Sequence, residues 1–159
     1  MLPINRIREY QVEIKNLLFD QQNNPLFGYC AMVVDDSQLS KILKERVASD
    51  NTFLISVVPD HYLKGSEDAA RFHNALTFFI LDKTDYSEHD HDSFIDIFST
   101  TQTKALALVR HILKDKNNQT GNFCGFLNWL DENSINIVPV WAKDGCNGWK
   151  LDFNLQTSI

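Results

Sequence analysis

The chain has 159 residues, 43% hydrophobic and 23% charged, with a formal net charge of −6. That composition suits one folded domain over residues 1–159 and excludes a disordered or low-complexity chain. The acidic balance speaks against nucleic acid as a partner, because phosphate binding starts from a basic surface. A local group of cations, Lys41, Lys44 and Arg46, reads as a solvated helix face.

Three cysteines, Cys30, Cys124 and Cys146, cannot all pair within one chain, and no CxxC spacing suggests a zinc ribbon or a thioredoxin-type site. The amino terminus lacks the basic region and apolar core of a secretory signal. No apolar run approaches the roughly 20 residues needed to span a bilayer. The expectation is an intracellular, reduced protein with no membrane partner.

Ile4 to about Gln22 reads as an amphipathic helix, with Ile7, Tyr10, Ile14, Leu17 and Leu18 on one side and Pro3 where helix starts tolerate it. The Gln21–Pro25 run stops it. Phe27–Val34 reads as a strand that Gly28 weakens locally. Asp35-Asp36-Ser37 offers cap chemistry for a short helix striped by Leu39, Ile42, Leu43 and Val47. After the Ala48–Asn51 break, the β-branched stretch Thr52–Val58 predicts a strand ending at Pro59. Asp60–His73 reads as a long polar connection, with room for a short helix around Glu67–Phe72. Ala75–Leu81 is sized for a buried strand that pairs antiparallel with Thr52–Val58.

An acidic connection, Asp82–Asp92, leads into the longest helical pattern. Phe94, Ile97, Phe98, Ala105, Leu108, Val109, Ile112 and Leu113 trace one face, which must be buried on the sheet. Lys114–Gly121 is an exit loop. In Phe123–Leu130 the spacing of Phe123, Phe126, Leu127 and Leu130 suits a helical turn, whereas the aromatic content favours a strand; a strand is the expectation. Ile135–Trp141 and Trp149–Thr157 flank Asp144-Gly145 and Asn147-Gly148, dipeptides that readily take the positive φ of a tight hairpin. Trp149, Leu151, Phe153 and Leu155 alternate with Lys150, Asp152, Asn154 and Gln156, the pattern of a strand with one wet face. The fold expected is α+β: a mostly antiparallel sheet, a long helix packed on one face and a C-terminal β-hairpin.

One cluster invites an enzyme reading: Asp82, Asp85, Glu88, His89, Asp90, His91 and Asp92. Carboxylate and imidazole together can bind a divalent metal or share acid–base work. The same acids also suit a helix start, where negative charge meets exposed amides. Asp92 or Ser93 is placed to cap the long helix, and Ser93 with Asp96 resembles a capping box. HExxH, GxSxG, P-loop and GxGxxG patterns are absent. Cys30 reads as a small buried hydrophobe, Cys146 as an exposed turn residue, and His111 as packed at the edge of the helix stripe. The expectation is therefore no catalytic residue, no cofactor and no metal. A small metal-dependent or otherwise unassigned enzyme built on residues 82–92 is the alternative.

The last strand has a long edge unless another strand covers it, and open edges are protected or used for assembly. Trp149, Lys150, Asp152, Asn154 and Gln156 are accordingly the candidate interface, alongside the plainer role of completing the core sheet. The order of N-terminal helix, strands, long helix and a terminal hairpin ending in Asn147-Gly-Trp-Lys-Leu-Asp-Phe-Asn-Leu-Gln-Thr157 resembles tail-completion, or tail-terminator, proteins of tailed phages and prophages. The likeness covers most of the chain as element order and the last dozen or so residues as sequence. It implies a small α/β sandwich, ring-forming self-association, other structural proteins as partners, and a place in the cytoplasm or the virion. No residue is carried over as a family signature.

Overall fold

The computed structural model describes residues 1–66, 69–118 and 120–158. In chain order these form α1 (Ile4–Leu17), β1 (Tyr29–Val33), α2 (Asp36–Glu45), β2 (Phe53–Lys64), β3 (Arg71–Lys83), α3 (His91–Lys116), β4 (Leu130–Lys143) and β5 (Cys146–Thr157). The strands make one sheet in the order β1-β2-β3-β5-β4. Only β1 and β2 run parallel; the other three pairings are antiparallel. The class is α+β, with the long helix on the sheet and β4–β5 as the terminal hairpin.

Alternation along the strands decides what each face buries. Leu76, Phe78 and Ile80 of β3 and Leu151, Phe153 and Leu155 of β5 point into one core. Helices α1 and α3 close it with Ile7, Tyr10 and Ile14, and with Ala105, Leu108 and Ile112. Each such side chain, fully buried, contributes about 1.5–3 kcal/mol. Among the described residues the opposite face is covered by α2, whose Leu39 and Leu43 pack on Val33, Phe53, Ile55, Leu81 and Cys146. Lys83 pins the end of that helix, its Nζ donating to Leu43 O at 3.0 Å and to Asp144 O at 2.8 Å.

Several expectations are corrected. Helix α1 stops at Leu17, short of Gln22, because Leu18 is extended and the Asp20 carboxylate takes up the next turn. Its oxygens accept from Gln22 N, Asn24 N and Asn24 Nδ2, a local competitor to helix. Val47 lies beyond α2 instead of on its stripe. Pro59 does not end β2: it sits at a register shift between Val57 and Asp60, where a missing amide is tolerated. The supposed connection Asp60–His73 is mostly strand, with His61–Lys64 paired to Asn74–Arg71. Of the short helix considered at Glu67–Phe72, Arg71 and Phe72 belong to β3, whereas Glu67 and Asp68 lie outside the described residues.

Phe123–Leu130 is not a strand until Leu130 itself. It is a succession of turns, with Phe126 N bonded to Phe123 O at 3.0 Å and Leu130 N to Leu127 O at 2.9 Å. Phe123, Leu127 and Leu130 face inwards, so their helical spacing outweighed their aromatic content. The hairpin turn is Asp144-Gly145, with φ of 51° and 74°, the double positive φ of a two-residue loop. Asn147 and Gly148 belong to β5, and Cys146 is fully buried instead of exposed. Glycine is required at 148, where a side chain would meet Ile80 O at 2.1 Å.

Candidate functional site

The predicted open edge is not on the last strand. β5 lies between β3 and β4, so both of its flanks are paired and β4 is the edge. Trp149 leaves the predicted group altogether: it turns towards α3, where its Nε1 donates to Phe98 O at 2.9 Å. Lys150, Asp152, Asn154 and Gln156 do share a face, the one that α2 covers only at one end. There Asp152 accepts from Thr77 Oγ1 at 2.7 Å and pairs with Lys150 Nζ at 2.8 Å. Val57, Thr77, Phe79 and Val138 stand beside them in register.

Neither edge of the sheet is a good template for another strand. β4 shifts register between Asp131 and Asn136 and again between Val140 and Lys143, and Pro139 between them has no N–H. Bulges and proline are standard protections of an edge. β1 has five residues, and side chains take up one of its carbonyls and the amide just beyond its end. Gln11 Nε2 donates to Ala31 O at 2.8 Å, and Val34 N donates to Gln38 Oε1 at 2.8 Å. The surface available for docking is therefore the half-covered sheet face.

The Asp/His segment is ordered by its own acids. Asp85 Oδ1 accepts from Ser87 Oγ at 2.7 Å and Ser87 N at 3.0 Å, closing a turn over Tyr86–Glu88. The cap of α3 is Asp90, not Asp92 or Ser93. Its Oδ1 accepts from Ser93 N at 2.9 Å while Asp90 N donates to Ser93 Oγ at 3.0 Å, so the box is Asp90–Ser93 and not Ser93–Asp96. These hydrogen bonds hold both carboxyls below the usual carboxylate range: chiefly the Ser87 hydroxyl for Asp85, and the Ser93 amide for Asp90. Among the described residues no three His, Cys, Asp or Glu side chains converge as a metal site.

What the segment does build is a shallow hollow of about 240 Å³, walled by Tyr86, His89, Asp90, His91, Phe94 and Trp141. Phe94 lies 5.9 Å from the Tyr86 ring and 6.2 Å from the Trp141 ring. Trp141 is 74% exposed and Tyr86 45%. Both walls are tied to Asn147, which is wholly buried. Its Oδ1 accepts from Ala142 N at 2.8 Å, and its Nδ2 donates to Thr84 Oγ1 at 2.8 Å and to Tyr86 Oη at 3.0 Å. Reading Asn147-Gly148 as turn chemistry hid this role. The signal was present, since Asp144-Gly145 alone supplies a complete turn.

His111 packs at the edge of the helix stripe, as its position suggested, and belongs to a polar group between α1 and α3. Tyr10 Oη donates to Asp115 Oδ2 at 2.9 Å, and His111 Nε2 stands 3.1 Å from the same oxygen. Burial, and then the Asp115 charge, push the Tyr10 phenol well above its ordinary value. This cluster locks two helices together.

No family model, curated protein or solved structure matches the chain. Among the described residues, no helix is long and apolar enough to cross a membrane.

Proposed function

We propose that the chain is a non-catalytic structural protein that acts by self-association and by docking to other structural proteins, in the manner of the phage tail-completion proteins its terminal hairpin resembles. The observation supporting this reading is the half-covered sheet face, where Val57 and Phe79 pack at the margin of the α2 cluster and Lys150, Asp152, Asn154 and Gln156 lie half-buried beside the exposed Val138. Such a face mixes apolar area with both signs of charge, as protein interfaces do. Contact through side chains on this face replaces the ladder extension that the edges resist. In a ring the contact is heterologous and repeats until closure. A reducing cytoplasmic or virion setting belongs to the same reading, and Cys30, Cys124 and Cys146 are all free thiols.

Sedimentation velocity across concentration tests the proposal, with wild type compared to Asn136→Arg/Asn154→Arg. The substitutions place bulk and charge on the open face without touching the core. Wild type should gain mass with concentration and the variant should stay monomeric. A wild type that is monomeric throughout removes the support. Absence of a catalytic metal is part of the proposal and has its own measurement, elemental analysis of untagged protein. Stoichiometric metal that is lost in His89→Ala/His91→Ala would replace the structural reading with the enzyme.

A further inference from the structure

The hollow at the start of α3 is independent of the open sheet face and has a chemistry of its own. Solvent-exposed aromatic rings add little to folding, yet here a buried asparagine directs its hydrogen bonds to the Tyr86 hydroxyl, to Thr84 and to the backbone beside Trp141. Tyr86 Oη is bonded directly, and the backbone that carries Trp141 is anchored through the neighbouring Ala142 amide. Phe94 supplies the floor between them. Ring faces carry the negative part of the aromatic quadrupole.

The rest of the lining is two imidazoles, His89 and His91, and one carboxylate, Asp90; His89 Nδ1 is buried without a hydrogen-bond partner, and among the described residues no Lys or Arg borders the hollow. Asp90 Oδ1 is occupied by the helix cap, and Oδ2 makes no hydrogen bond among the described residues. Hydrogen bonding holds the Asp90 and Asp85 carboxyls ionised well below neutral pH. The amino end of α3 opposes them with a partial positive charge of about half a unit, which the full charges of Asp90 and Asp92 outweigh. The ring faces and the Asp90 carboxylate together favour a cation in this hollow.

We infer that the hollow is a binding site for an organic cation, an alkylammonium or guanidinium group seated against Trp141, Phe94 and Tyr86 with Asp90 as its counter-charge. Two sources carry that chemistry: a basic side chain of a partner protein, or a free quaternary amine.

The test is a titration at constant pH followed on the Trp141 indole N–H resonance. The probes are tetramethylammonium chloride, a glycine-flanked arginine peptide, and tert-butanol as a neutral body of similar size. The expected result is a saturable shift with at least one cation and none with tert-butanol. Trp141→Ala, followed instead on Tyr86, should weaken binding about tenfold. Asp90→Asn retains the cap, because asparagine caps as well as aspartate, and should weaken binding several-fold. Tighter binding of the peptide assigns the site to a partner's side chain; tighter binding of tetramethylammonium assigns it to a free amine. No saturable shift with either cation, equal binding of tert-butanol, or no effect of Asp90→Asn would overturn the inference.

Discussion

The two faces of β5 have different fates although their residues alternate along one strand. Leu151, Phe153 and Leu155 are buried beneath α3, whereas Lys150, Asp152, Asn154 and Gln156 remain half exposed. Helix length accounts for the contrast. The 26 residues of α3 span about 39 Å, close to the reach of a 12- to 14-residue strand, about 40–48 Å. The ten residues of α2 span about 15 Å, so one end of the second face is all they can cover. One face is a core; the other is partly a surface that retains apolar side chains.

The largest effects should come from the closed face. Phe153→Ala should cost about 3–5 kcal/mol, and Leu108→Ala and Ile112→Ala about 2–5 kcal/mol each, read by chemical denaturation. Losses below about 0.5 kcal/mol would mean that this face is not the core. Next is the buried tie between the hairpin and the start of α3. Asn147→Ala leaves Ala142 N, Thr84 Oγ1 and Tyr86 Oη without their partner, and should cost about 1–3 kcal/mol. The Trp141 environment should change with it, visible as a shifted indole resonance.

Cys146 sharpens the comparison from the α2 side. Burial pushes its thiol from an ordinary 9.0 up to about 11. Because the folded value is the higher one, stability is undiminished below about pH 9. It falls as pH rises from there towards 11, while the unfolded chain ionises first. Denaturation across that window checks the sign, and a Cys146→Ala variant should show a shallower pH slope, the remainder coming from the raised Tyr10 phenol and Cys30 thiol. The exposed Cys124 should be alkylated first in the folded protein, with Cys146 reacting on unfolding. The smallest effects belong to the open face, where Gln156→Ala should change stability by no more than about 0.5 kcal/mol and Lys150→Ala by no more than about 1 kcal/mol. The Lys150–Asp152 pair is part-exposed and worth at most about 1 kcal/mol. A loss of several kcal/mol there would show that the second face is as structural as the first.

Part of the candidate surface was legible before folding. The common face of Lys150, Asp152, Asn154 and Gln156 follows from period-two alternation, which is a property of any strand. That β5 is interior rather than an edge could not be read there, because its neighbours come from distant segments: Thr77 beside Asp152 on one flank and Asn136 on the other. The aromatic hollow was invisible for the same reason. Tyr86, Phe94, Trp141 and Asn147 are scattered in the chain and meet only once the β4–β5 hairpin packs beside the start of α3.

What the sequence by itself determined is local and periodic: the apolar stripe of α3, the alternation of β5, the Asp144-Gly145 turn and an acidic start to the long helix. These depend on backbone geometry and near neighbours, which a short window contains. Tertiary structure decided which strand lies at the edge, that β2 continues past Pro59, that Phe123–Leu130 coils into turns, and that Asn147 and Cys146 are buried. Each of those depends on a partner far away in sequence: β3 for β2, α1 for Phe123, and the Thr84–Tyr86 segment for Asn147. A strand's alternation says which side is apolar; only the neighbours it meets decide whether its flanks are open and what covers each side.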